Sequence, residues 1–121
     1  MASNKGQLSD EALATVALLF RSLGEVSRLK IIRLLEEKEM AVGEIARALN
    51  TSQANVSKHL KMLINAGVLS RRAKGTAAYY SIGDPMILKI CDTICSGMMD
   101  RVKAQAEGFG FQLISRSRPR F

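Results

Sequence analysis

Apolar residues between Leu8 and Leu23 recur at Leu13, Val16, Ala17, Phe20 and Leu23, the spacing of an amphipathic helix, and Gly24 interrupts the run. A second helical pattern covers Val26 to Glu37, apolar at Leu29, Ile31, Ile32, Leu34 and Leu35. A third is short, with Val42, Ile45, Ala46 and Leu49 falling at i, i+3, i+4 and i+7. Asn50-Thr51-Ser52 then predicts a turn. The Ser52 hydroxyl is suited to accept a hydrogen bond from a free amide two or three residues further on, which makes it the N-cap of a fourth helix. That helix runs to about Ala66 with Val56, Leu60, Leu63 and Ile64 inward, and Gly67 stands where a positive φ would end it.

Beyond Gly67 the period drops to two. Val68 to Ala73 and Ala78 to Ile82 predict strands joined across Lys74-Gly75-Thr76-Ala77, with Ala78, Tyr80 and Ile82 on one face of the second. Asp84-Pro85 opens a last helix, proline sitting in the first turn where its missing N–H matters little, and the helix continues to about Glu107. The expected architecture is mainly α with a small β-hairpin, ordered ααααββα. It forms one domain over residues 8–107, between a flexible start at 1–7 and a basic flexible tail at 108–121.

The 121 residues fit a single domain and leave no room for a separate catalytic or ligand-binding one. A domain of this size buries its apolar surface only marginally, so dimerisation would add stability. Charge changes the picture through its distribution more than through the net +7. Gln7 to Glu44 holds seven acids (Asp10, Glu11, Glu25, Glu36, Glu37, Glu39, Glu44) and five bases (Arg21, Arg28, Lys30, Arg33, Lys38). Ile45 to Gly83 holds no acid at all, but carries Arg47, Lys58, Lys61, Arg71, Arg72, Lys74 and the only histidine, His59. A basic middle inside a balanced chain suits the phosphates of a nucleic acid, against the plainer reading of a solvated basic face.

Two helices joined by a tight turn, Val42 to Leu49 and Ser52 to Ala66, have the layout of a helix-turn-helix. The flank of the second helix opposite its apolar side offers Gln53, Asn55, Ser57, Lys58 and Lys61, with His59 beside them. Amides read adenine edges bidentately, hydroxyls donate or accept, and lysines reach phosphates, which is the chemistry a major groove requires. A solvent-facing polar flank would look the same. The hairpin separates the two readings, because Arg71, Arg72 and Lys74 place a basic wing directly after this helix.

These residues resemble a known family. Leu19-Phe20-Arg21-Ser22-Leu23-Gly24-Glu25-Val26-Ser27-Arg28-Leu29-Lys30-Ile31-Ile32 is similar to the opening F-x-A-L-x-D-x-x-R-L-x-I-L of ArsR/SmtB-type repressors. Ser52-Gln53-Ala54-Asn55-Val56-Ser57-Lys58-His59-Leu60 resembles their recognition-helix run S-Q-x-x-V-S-x-H-L, and Gly67-Val68-Leu69 with Arg71-Arg72, Gly75 and Tyr79-Tyr80 resembles their wing. The resemblance covers about Leu8 to Val102. It implies a winged helix-turn-helix homodimer joined through the first and last helices, two recognition helices in successive major grooves of operator DNA, and repression in a bacterial or archaeal cytoplasm. Release by a metal ion or by thiol chemistry is part of the same implication. The expected DNA-binding set is Ser52, Gln53, Asn55, Val56, Ser57, Lys58, His59, Lys61, Arg71, Arg72, Lys74 and Thr76.

The family's described metal sites are not intact here. Its paired cysteines, in E-L-C-V-C-D-L, face Glu39-Met40-Ala41-Val42-Gly43-Glu44-Ile45, and its Asp-x-His on the last helix faces Asp84-Pro85-Met86. What remains is Cys91 and Cys95, four residues apart on the last helix, in a stripe with Leu88, Met99 and Val102. Ile87, Ile90, Ile94 and Met98 form the neighbouring stripe, so one face can serve the core and another a partner subunit. The two cysteines either pack as small apolar groups or act as effector-sensing thiols toward a soft metal ion or an oxidant. No cofactor is expected for folding.

The polar Met1 to Gln7 carries no signal-peptide pattern, and Val16 to Phe20 is far too short an apolar run to span a bilayer. No membrane partner is expected. Nor is an enzyme: Ser27-Arg28-Leu29-Lys30 has S-x-x-K spacing without companion motifs, and Gly108-Phe109-Gly110 opens no phosphate-binding helix. The alternative from another class is an architectural or protein-interaction winged helix without an effector.

Overall fold

The computed structural model describes residues 8–108. Its elements are α1 (Asp10–Leu23), α2 (Val26–Leu35), β1 (Met40–Ala41), α3 (Val42–Leu49), α4 (Gln53–Asn65), β2 (Leu69–Lys74), β3 (Ala77–Ile82) and α5 (Met86–Gly108). The expected flexible start and basic tail fall outside the described residues, apart from Gly108, which ends α5.

Local chemistry explains most boundaries. The Ser9 hydroxyl accepts from the Ala12 amide at 3.0 Å, so α1 begins at Asp10, and Asp10 and Glu11 sit against the positive end of the helix dipole. The Glu44 carboxylate accepts from the Ala41 amide at 2.9 Å and stabilises the start of α3. Ser52 caps α4 as its position predicts, accepting from the Asn55 amide at 3.0 Å. Gly67 follows α4 with φ 79°, a conformation in which a Cβ would be strained, and the Val68 amide returns to the Leu63 carbonyl at 2.9 Å.

The sheet has three strands in the order β1-β3-β2, both pairings antiparallel. The hairpin is longer by one pair than the period-two pattern predicts, because Lys74 and Ala77 also face each other. Only Gly75 and Thr76 are left as a two-residue loop. Gly75 takes φ 63° and Thr76 is not among the positive-φ residues, the sign pattern of a type II′ turn. β1 was not anticipated: Met40 and Ala41 pair with Tyr80 and Tyr79.

The core lies where α2, α3, α4 and the sheet meet. Ile31, Ile32, Leu35, Ile45, Val56, Leu60, Leu63 and Val68 are all essentially inaccessible. Ile87 and Cys91 bring the first turns of α5 onto the same cluster, and an Arg33–Asp92 ion pair at 3.2 Å ties α2 to α5. Among the described residues nothing covers the far half of α5 or the outer face of α1 in this way. Leu13, Val16 and Phe20 on α1, and Ile94, Met98 and Val102 on α5, remain exposed. This is a winged helix-turn-helix: α3 and α4 form the paired helices and β2–β3 the wing.

Candidate nucleic-acid interface

The α4 helix splits into the two flanks its sequence predicts. Val56, Leu60 and Leu63 are buried, while Gln53, Ser57, Lys58 and Lys61 are exposed along one side. Ser52 and Thr51 stand exposed at the helix start, where three or four backbone amides converge and favour an anionic oxygen. Asn55 is half-buried, and its amide nitrogen donates to the Thr51 hydroxyl at 3.1 Å. Its second N–H and its carbonyl oxygen are left for other partners.

Two residues of the expected set lie inside the protein. Val56 is 1% exposed and His59 5%, so neither side chain is presented to a groove. His59 occupies the i+3 place of the series Val56, His59, Leu60, Leu63 and therefore turns inward with the aliphatic residues. Its Nδ1 lies 3.3 Å from a terminal nitrogen of Arg28 and 3.2 Å from the Glu25 carboxylate. A protonated Nδ1 donates to Glu25 and an unprotonated one accepts from Arg28, so the two neighbours favour opposite tautomers of the ring. Burial pushes the imidazole below its ordinary pKa, Glu25 opposes that shift and Arg28 adds to it.

Arg28 does more than meet the histidine. Its Nε donates to the Ser22 carbonyl at 2.7 Å and its other terminal nitrogen to the Arg21 carbonyl at 3.2 Å. One guanidinium thus joins the end of α1, the start of α2 and the inner face of α4. Reasoning on the sequence did not find Arg28 or Glu25. The available signal was the i+3 position of His59, which asks for a buried polar partner.

On the wing, the register puts Arg71 opposite Tyr80, Arg72 opposite Tyr79, and Lys74 opposite Ala77. Alternation therefore sends Arg72 and Lys74 to one face of the hairpin and Arg71 to the other. All three are exposed, as is Thr76 at the tip. Arg72 is not free: it is bonded to the Glu39 carboxylate and lies 5.3 Å over the Tyr79 ring. That bond holds the Glu39 carboxyl below its usual range. The basic residues of the wing are thus brought to one hairpin but not to one side of it.

The cysteines lie elsewhere, in an open apolar cleft of about 560 Å³ between α1, the start of α2 and α5. Phe20, Leu23 and Leu29 form one wall, and Cys91, Ile94, Cys95, Met98, Met99 and Val102 the other. Cys91 is buried and Cys95 half-buried, and both are free. Burial pushes the Cys91 thiol up, and neighbouring Cys95 adds to the shift. A thiol held protonated is a poor nucleophile, so Cys91 has the surroundings of a packing residue. Where the resemblance would place thiolates, Ala41 ends a strand and Gly43 is the second residue of α3, neither with a sulfur. Those positions do not fit a metal. Among the described residues no cluster of three or more His, Cys, Asp or Glu side chains could hold one.

A capped helix offering amides, hydroxyls and lysines, followed by a basic hairpin, defines a DNA-binding regulator of the winged helix-turn-helix class. Comparison with known proteins narrows this. Residues 25–71 match the family described as bacterial regulatory protein, arsR family. The chain is 32% identical over 89 residues to a cadmium resistance transcriptional regulatory protein CadC homolog of Staphylococcus aureus, covering 73% of this chain and 74% of that one. It is 35% identical over 69 residues to the transcriptional repressor SdpR of Bacillus subtilis, covering 57% and 77% respectively. Its fold is similar to the homodimeric winged helix-turn-helix DNA-binding domain of a possible ArsR-family regulator from Mycobacterium bovis. The TM-score is 0.73 at 27% identity, over 81% of this chain and 94% of that one. The chain belongs to the ArsR family of transcriptional regulators and is not an enzyme. No helix among the described residues is long and apolar enough to cross a membrane.

Proposed function

We propose that this protein is a cytoplasmic homodimeric repressor that binds a two-fold operator and is released by an effector acting at the subunit interface. The observation that carries the DNA-reading part is the exposed flank Gln53, Ser57, Lys58 and Lys61 beside the Ser52 cap, in a stretch that contains no acid. With α4 in the major groove, Gln53 reads a base edge and Ser57, Lys58 and Lys61 fix the register. Arg71, Arg72, Lys74 and Thr76 lie along the adjacent backbone or minor groove.

Dimerisation is supported by the uncovered apolar residues of α1 and α5. Phe20 is 53% exposed and Ile94 54%, on the two elements that the resemblance assigns to the two-fold interface. A symmetric pair would set its two α4 helices about 34 Å apart, one turn of duplex. For the effector, the cleft holding Cys91 and Cys95 adjoins that interface, and the relatives include a cadmium resistance regulator. Cys95, half-buried in that cleft, is the sulfur open to a soft metal ion or an oxidant, with buried Cys91 one helical turn away.

Titration against the duplex upstream of its own gene and against an unrelated duplex, at several salt concentrations, tests the reading. A repressor of this design binds the first at least about 1,000-fold more tightly than the second at physiological salt. Equal affinity for both, following salt alone, would leave only an architectural basic protein.

A further inference from the structure

We propose that α3 is part of the DNA-reading surface, with Arg47 as a phosphate contact and Gly43 as the gap that seats the Gln53 side chain. The inference rests on α4 being the helix that enters the groove. A Cβ built on Gly43 would lie 3.3 Å from Nε2 of Gln53 and 3.7 Å from a terminal nitrogen of Arg47. Two side chains from different helices thus converge over one glycine. Gly43 and Arg47 are four residues apart on α3 and share a face, while Gln53 is the first residue of α4.

The contact with Gln53 is tight without being forbidden. Any side chain at 43 obliges the Gln53 amide to move by a few tenths of an ångström. A bidentate bond to a base edge tolerates little such movement, since both of its halves need donor and acceptor near 2.9 Å and in line. Position 43 therefore sets specificity although it offers no group of its own. Arg47 is exposed and stands beside the groove-facing end of α4, and the acid three residues before it, Glu44, accepts from the Ala41 amide at the start of α3. The first helix of a helix-turn-helix crosses the duplex backbone, so a base there meets phosphate.

Selection from a randomised duplex library with the native protein supplies a preferred site. Its affinity and that of an unrelated duplex are then measured for Gly43→Ala, Arg47→Ala and Gln53→Ala across a salt series. Alanine favours a helix more than glycine does, so Gly43→Ala keeps its thermal stability. It is expected to bind the preferred site about tenfold more weakly with the unrelated duplex unchanged, approaching Gln53→Ala. Arg47→Ala is expected to weaken both duplexes alike and to lower the salt slope by about one. An unaltered preference in Gly43→Ala, with Gln53→Ala impaired, overturns the role of Gly43. An unaltered slope in Arg47→Ala removes Arg47 from the interface. If Gln53→Ala itself changes nothing, the placement of α4 fails instead.

Discussion

Replacing Arg28 with methionine keeps the aliphatic stem and deletes the charge and all its bonds. The guanidinium donates to two carbonyls at the end of α1, at 2.7 and 3.2 Å, and meets His59 at 3.3 Å, with its side chain only 15% exposed. Hydrogen bonds made by a charged group contribute roughly 1.5–3 kcal/mol each, but such contributions do not add when the partners share one donor. The Arg21 carbonyl lies on an exposed residue and water can replace its bond, whereas Ser22 is inaccessible and its carbonyl loses its side-chain partner. The sum comes to about 2–4 kcal/mol. Urea unfolding at one fixed protein concentration measures it, so that any self-association weighs equally on both proteins. The same variant reports on the histidine. With Arg28 gone, Glu25 is left to raise the imidazole pKa unopposed by its strongest cationic neighbour, so His59 titrates at a higher pH. His59 is the only histidine, so its Hε1 ring proton is assigned without ambiguity in a magnetic resonance titration. A stability loss below about 1 kcal/mol, the scale of an ordinary surface change, together with an unmoved titration, would refute the network.

Other outcomes follow from the same geometry. Because His59 is held below its ordinary value of 6.5, the unfolded chain takes up a proton first, and this part of the stability is complete above that value and declines as pH falls through the folded pKa; His59→Asn should flatten the decline in acid titrations of the urea midpoint. Arg71→Ala and Lys74→Ala should each lower affinity for every duplex and reduce the salt slope by about one, seen in binding titrations across salt concentrations. Arg72→Ala should show a smaller change in slope, because in the free protein the same charge is already matched by Glu39. Cys91→Ser should lower stability by about 1–3 kcal/mol through an unpaired buried hydroxyl, while Cys95→Ser stays near neutral in urea unfolding. If mercuric ion or peroxide still frees DNA from a Cys91→Ser, Cys95→Ser double variant, the thiols are not the switch.

Much of this fold was legible because its signals are local. Ser52 needed only the amide three residues on, Gly67 only the end of one helix, and the strand pairing of Leu69 with Ile82 follows from alternation across a short loop. What escaped depends on distant partners. Two residues, Met40 and Ala41, are too few to show a period, and their strand exists only because Tyr79 and Tyr80 lie alongside. His59 looked like a groove residue because it is polar, yet Glu25 and Arg28, more than thirty positions away, make it an interior one. The pairing of Arg72 with Glu39 spans a similar separation. On α4 the polar residues Gln53, Ser57, Lys58 and Lys61 are exposed as their spacing predicts, whereas the sequence pattern did not show that His59 turns inward.

The two-residue strand has a mechanical meaning. By bonding Met40 and Ala41 to Tyr80 and Tyr79, it stitches the chain immediately before α3 to the middle strand of the hairpin. The paired helices and the wing are thereby clamped into one block, unable to hinge against each other without breaking sheet hydrogen bonds. In the proposed dimer, adjustment to operators whose halves are spaced differently would have to be absorbed between subunits, each helix pair and its wing moving as one stiff piece.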